Sequence, residues 1–120
     1  MKTLRTAIFV VIVLGLALSV AVAMKPTPEE RGKAYFNDPN FAGGTTACSS
    51  CHPDGRGLEK AAEKKTLITP AGPARTLEEA INICIVKANK GRALDPKSRE
   101  MQDVVAYIKS LGKKMPKASG

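Results

Sequence analysis

Cys48-Ser49-Ser50-Cys51-His52 reads C-x-x-C-H, two thiols three positions apart with an imidazole directly after the second. Several chemistries use such a pair of thiols. A redox disulfide of the thioredoxin type wants a βαβ context, and no alternating apolar run surrounds these residues. A zinc site needs a second pair of Cys or His ligands, and only Cys84 remains. A plain structural disulfide accounts for both thiols but gives the adjoining imidazole no role. Covalent attachment of a c-type haem uses all three side chains: each thiol forms a thioether to one vinyl group, and the imidazole binds iron as the proximal ligand. His52 is the single histidine of the chain, so no other imidazole competes for that position.

The 120 residues allow one domain. The first 23 read as a leader: Met1-Lys2-Thr3-Leu4-Arg5 is a short basic start, and Ala7 through Ala23 is a weakly polar to apolar run. Ala21-Val22-Ala23 has the small-x-small form of a signal peptidase site. Cleavage there leaves residues 24–120; an uncleaved membrane anchor is the alternative, since the run approaches the lower limit for spanning a bilayer. Residues 24–112 then form the domain, followed by a polar, basic tail, 113–120. Export to the periplasm agrees with the motif, because c-type haem is installed outside the cytoplasmic membrane in bacteria. The formal charge is +8, or +6 once the leader cations Lys2 and Arg5 are removed. Such a surface steers encounters with acidic partners or anions. Export and low aromatic content argue against nucleic acid, and membrane contact is expected only if the leader stays attached.

Thr27-Pro28-Glu29-Glu30 opens a helix with a capping box and proline at its first turn. That helix carries Gly32, Tyr35 and Phe36 and stops before Asp38-Pro39. Residues 37–47 form a loop loosened by Gly43-Gly44, and Pro53-Asp54-Gly55 turns the chain after the haem motif. Leu58 to Lys65 is expected as a short helix and Thr66 to Ala74 as irregular chain, with Leu67, Ile68 and Pro70 along a haem edge. Thr76-Leu77-Glu78-Glu79 forms a second capping box. Its helix places Leu77, Ile81, Cys84, Ile85 and Ala88 on one face and ends at Gly91. The last helix begins at Asp95-Pro96 or Ser98, carries the apolar stripe Met101, Val104, Val105, Ile108 and Leu111, and stops at Gly112. The expected fold is all-α, with three main helices and one short helix wrapped around one covalent haem.

With these elements in place the chain resembles a class I cytochrome c over its whole mature length. Gly32, Tyr35 and Phe36 on the first helix, C-x-x-C-H, and Val104-Val105-Ala106-Tyr107-Ile108-Lys109-Ser110-Leu111 carry the resemblance. It implies that the first and last helices cross at Gly32 against Tyr107, and that the protein transfers single electrons through a six-coordinate haem iron. Residues 77–111 are similar, more narrowly, to the haem domain of sulfur-oxidation cytochromes and thiosulfate dehydrogenases, and to small monohaem cytochromes of metal-reducing bacteria.

The sixth iron ligand has two candidates. Common members of the class place a methionine about 20 residues before the last helix's aromatic, where this chain has Cys84. Cys84 lies on an apolar helix face, the sulfur-oxidising relatives bind iron through the matching thiolate, and Lys87 is near enough in sequence to stabilise that anion. Met101, six residues before Tyr107, is the alternative; the choice leans slightly to Cys84. Met24 and Met115 are poorly placed. The expected function is a periplasmic carrier of electrons between redox proteins with acidic docking surfaces, not an enzyme. Lys60, Lys64, Lys65, Lys87, Lys90, Lys109 and Lys113 are candidates for the matching basic face. A haem subunit or enzyme in thiosulfate oxidation is the rival reading, and a sensor of diatomic gas the third.

Overall fold

Thr27 opens the first helix as its sequence requires. The Thr27 hydroxyl accepts the Glu30 amide, and the Glu30 carboxylate accepts the Thr27 amide at 2.7 Å, satisfying two helix-end donors reciprocally. The computed structural model describes residues 24–114. The leader, its cleavage site, Met115 and the remainder of the basic tail lie outside the described residues. Among the described residues the helices are α1 (Pro28–Asn37), α2 (Leu77–Lys87) and α3 (Arg99–Lys113). At α2 the Thr76 hydroxyl accepts the Glu79 amide as expected, but Glu79 returns its hydrogen bond to the Arg75 amide, one residue earlier than the box predicts. Ser98, not Asp95-Pro96, caps α3.

The segment expected to be irregular contains a hairpin. β1 (Leu67–Thr69) pairs antiparallel with β2 (Gly72–Ala74), with Leu67 opposite Ala74 and Ile68 opposite Pro73. The Thr69 hydroxyl donates to the Gly72 carbonyl at 2.7 Å and accepts the Ala71 amide, bracing the turn. Three-residue strands are too short to show a period-two pattern, and proline suits an edge. The fold is therefore mostly helical, as the expected all-α class requires, with a small two-stranded sheet added that was not expected. The short helix expected over Leu58 to Lys65 is also absent as such; a single 3-10 turn at Ala61–Glu63 stands there. Two glycines act differently from the stops they suggest. α3 runs through Gly112 to Lys113, and a β-carbon on Gly112 would stand 2.8 Å from the Glu59 carbonyl, so this glycine serves close packing. After α2, the left-handed residue is Lys90 (φ 62°) rather than Gly91.

The core is built on α1 crossing α3. Gly32 lies against the Asp103 carbonyl and Tyr107, and the Phe36 and Tyr107 rings pack tilted with centroids 5.1 Å apart. The crossing expected from the resemblance is thus present. Arg31 clamps the buried Asp103 through two contacts of 2.7 Å, so the carboxylate keeps a partner inside the interface. Phe36, Ile85, Met101 and Val104 are the largest fully buried side chains.

Candidate haem site

The C-x-x-C-H stretch folds into a tight turn. The Cys51 and His52 amides both donate to the Cys48 carbonyl, at 3.2 and 3.1 Å. Pro53–Gly55 forms the next turn, with Asp54 and Gly55 at φ 53° and 76°. A β-carbon on Gly55 would come within 2.3 Å of the Leu111 side chain, so the turn is seated directly on the end of α3. His52 Nδ1 lies 3.0 Å from the Arg56 carbonyl oxygen. A carbonyl only accepts, so the proton belongs on Nδ1 and the lone pair on Nε2, the tautomer a metal-binding imidazole needs.

A cleft opens beside this turn. Its wall includes Cys48 and His52 from the motif and Cys84 from α2, set among Phe36, Leu67, Ile81, Val104 and Ile108. α1, α2, α3 and β1 each contribute a side. Nitrogen and sulfur donors in an apolar cleft suit an iron macrocycle, which buries its ring against hydrocarbon and takes axial ligands from imidazole and sulfur. The residues present therefore fit the group. Leu67 and Ile68 line the cleft as expected; Pro70 does not. Cys51 is exposed and is not among the lining residues. Met101 is wholly buried in the core and takes no part in the cleft wall, whereas Cys84 does. Met24 is exposed near the start of the described chain.

Burial pushes the Cys84 thiol above its ordinary range, and the neighbouring Cys48 and Cys51 add to the effect. Binding a metal as thiolate requires loss of that proton, so the anion would depend on the charge of a bound metal rather than on these surroundings. Lys87 does not help: it lines a different groove, about 620 Å³, on the other side of α2 with Ile83, Val86 and Pro96. That groove contains no thiol or imidazole. Burial likewise raises the Cys48 thiol, opposed by a hydrogen bond from the Asn89 side-chain amide, 3.4 Å from the sulfur.

Three supporting residues escape a reading of motifs alone. Asn89 is buried, donates to Cys48 and accepts the Thr45 amide through its carbonyl, joining the end of α2 to the loop before the motif. Asn82 holds Leu94 by two bonds of 2.8 Å, one to its amide and one to its carbonyl. Gly57 adopts φ 87° beside His52, directly after the carbonyl that orients the imidazole. Only Gly57 left a trace in the sequence, as a second glycine after the Pro53-Asp54-Gly55 turn.

Residues 31–117 match the family described as SoxA/TsdA, cytochrome c domain. Among curated proteins, the thiosulfate dehydrogenase of Psychrobacter arcticus is 34% identical over 90 residues, a match covering 68% of this chain and 27% of that protein. The chain thus corresponds to little more than a quarter of that relative's length.

Proposed function

Since the chain belongs to the SoxA/TsdA cytochrome c domain family, a class I c-type group with covalent haem c and its iron, we propose that it is an exported carrier of single electrons in which His52 and Cys84 would hold the haem iron. The observation that carries this reading is the composition of the cleft: Cys48, His52 and Cys84 all line it, while Met101 is packed in the core away from it. Haem c supplies a one-electron ferric/ferrous couple when bound. Cys48 and Cys51 would hold it through thioethers, and His52, with its Nδ1 proton held by the Arg56 carbonyl, would offer Nε2. Cys84 offers sulfur from α2. The apolar wall excludes water, which keeps reorganisation on electron transfer small. The leader sequence supports a periplasmic location, and the basic surface favours acidic redox proteins as partners.

A second reading has its own support. The matched relative is named a thiosulfate dehydrogenase, so a haem subunit acting in thiosulfate oxidation is the rival. Absorption spectra of the purified protein, oxidised and reduced, test the carrier reading: a low-spin ferric spectrum without the methionine-to-iron band is expected. Adding thiosulfate to the oxidised protein then separates the two functions. Rapid haem reduction by thiosulfate alone supports the rival; an unchanged ferric spectrum, with prompt reduction by a protein donor, supports the carrier.

A further inference from the structure

Ile68 is 86% exposed although it lines the cleft. A single exposed isoleucine is ordinary on a protein surface; its setting is what makes this one informative. It sits on β1, in a hairpin held to the core by Leu67 and Ala74, which are 8% and 0% exposed. The Thr69 side chain braces the turn, so the apolar pair formed by Ile68 and the facing, exposed Pro73 is presented on a fixed backbone rather than a loose loop.

The chain flanking this projection is rich in cations. Residues 56–75 hold five, Arg56, Lys60, Lys64, Lys65 and Arg75, against two carboxylates, Glu59 and Glu63. All five are exposed, and Lys64 belongs to the cleft wall itself. The ion pairs among the described residues involve Arg31, Arg99 and Lys113, so none of these five cations is paired with a carboxylate of the described residues. Glu59 is engaged locally, accepting the Gly57 amide at 2.9 Å.

From this arrangement we infer that the β1–β2 hairpin, with Lys60, Lys64, Lys65 and Arg75, is the docking surface for a redox protein whose own cofactor edge is apolar and rimmed by carboxylates. The inference rests on the haem reading above, since the surface has a purpose only if an electron leaves through this cleft. Unpaired cations steer the encounter and lose strength with salt. The Ile68–Pro73 pair supplies a small dry contact next to the cofactor, as a short-lived electron-transfer complex with a modest interface requires. Separation of roles follows: lysines set the association rate, and Ile68 sets the fit of the complex.

The test uses the haem-loaded protein and a reduced acidic flavodoxin as electron donor, followed by stopped-flow absorbance. Each variant must first show the wild-type haem spectrum; a preparation with no c-type spectrum refutes the haem reading itself, not the docking surface. Lys64→Glu with Lys65→Glu is expected to slow the second-order reaction about tenfold at low salt and hardly at all near 1 M salt. Ile68→Ser is expected to slow it about threefold at both salt concentrations. Lys87→Glu with Lys97→Glu makes the same charge change away from the cleft and is expected to alter the rate less than about twofold. Equal slowing by this control pair would overturn the inference, as would an Ile68→Ser protein that reacts like wild type. Two further outcomes reassign the surface and also overturn it: a change in sedimentation with Ile68→Ser, marking self-association, or phosphatidylglycerol-vesicle binding that the lysine variant abolishes.

Discussion

Gly32 and Asp103 approach so closely that a β-carbon on the glycine would stand 1.9 Å from the Asp103 carbonyl oxygen. The same atom would also meet Tyr107 Cβ at 2.9 Å. Neither obstacle is the flexible end of a side chain, so the helices themselves must separate to admit a methyl group. Gly32→Ala is therefore expected to destabilise the protein by about 3 kcal/mol, the upper end of ordinary overpacking. Separation would also strain the Arg31–Asp103 clamp, whose two contacts are each 2.7 Å. Thermal or urea denaturation of the haem-loaded variant measures this; a loss under about 1 kcal/mol would show that the crossing is softer than its geometry indicates.

Asn82 supports the loop that follows α2. Its side chain satisfies both the amide and the carbonyl of Leu94, which packs partly buried against the core. Asn82→Ala leaves two backbone groups without partners and is expected to cost about 2 kcal/mol. Asn82→Asp keeps the acceptor for the Leu94 amide but loses the donor, and belongs between the two in a denaturation series. Equal stability of Asn82→Ala and wild type would mean that water replaces both bonds freely.

How far these relationships were legible in the sequence depended on their range. Thr27 and Glu30 are three residues apart and reveal their reciprocal caps directly. The C-x-x-C-H spacing places Cys48 and His52 on one turn for the same reason. Gly32 opposite Tyr107 was accessible only through resemblance, because the two residues are brought together by the crossing of α1 and α3. The hairpin was missed because Leu67–Thr69 and Gly72–Ala74 are too short for periodicity, and because its prolines read as breakers. Gly112 and Gly91 looked like helix stops, yet both meet other parts of the chain, the Glu59 and Ala42 carbonyls respectively. Asn82 and Asn89 carried no local signal at all: the atoms they bind lie 12 and 41 residues away.

Gly57 fixes the orientation of the carbonyl that holds His52. Its φ of 87° suits glycine, and a β-carbon there would meet His52 Nδ1 only at 3.8 Å, an ordinary contact. The penalty for Gly57→Ala is thus conformational rather than steric, about 1–2 kcal/mol. Relaxing that strain turns the Arg56 carbonyl away from Nδ1 and lowers the basicity of the imidazole as a ligand. Less donation to iron favours the ferrous state, so the reduction potential is expected to rise. Voltammetry of the variant against wild type checks the sign, and an unchanged potential with lost stability would confine Gly57 to a folding role.

Cys84 and Met101 give opposite expectations for paired substitutions, because one lines the cleft and the other is core. Cys84→Ser removes the sulfur that α2 presents to the cleft, and the ferric spectrum should pass from low spin toward high spin. Loss of a charge-donating thiolate also raises the potential, since thiolate favours ferric iron more than weaker ligands do. Met101→Leu preserves volume and apolar character, so it should leave the spectrum intact and cost less than about 1.5 kcal/mol of stability. Cys84→Met supplies a softer, neutral ligand from the same α2 position; a methionine-to-iron band there would show that α2 has the reach to bind. A spectrum unaffected by Cys84→Ser but altered by Met101→Leu would transfer the sixth position to Met101. α3 would then have to withdraw a side chain that is wholly buried between it and the rest of the core.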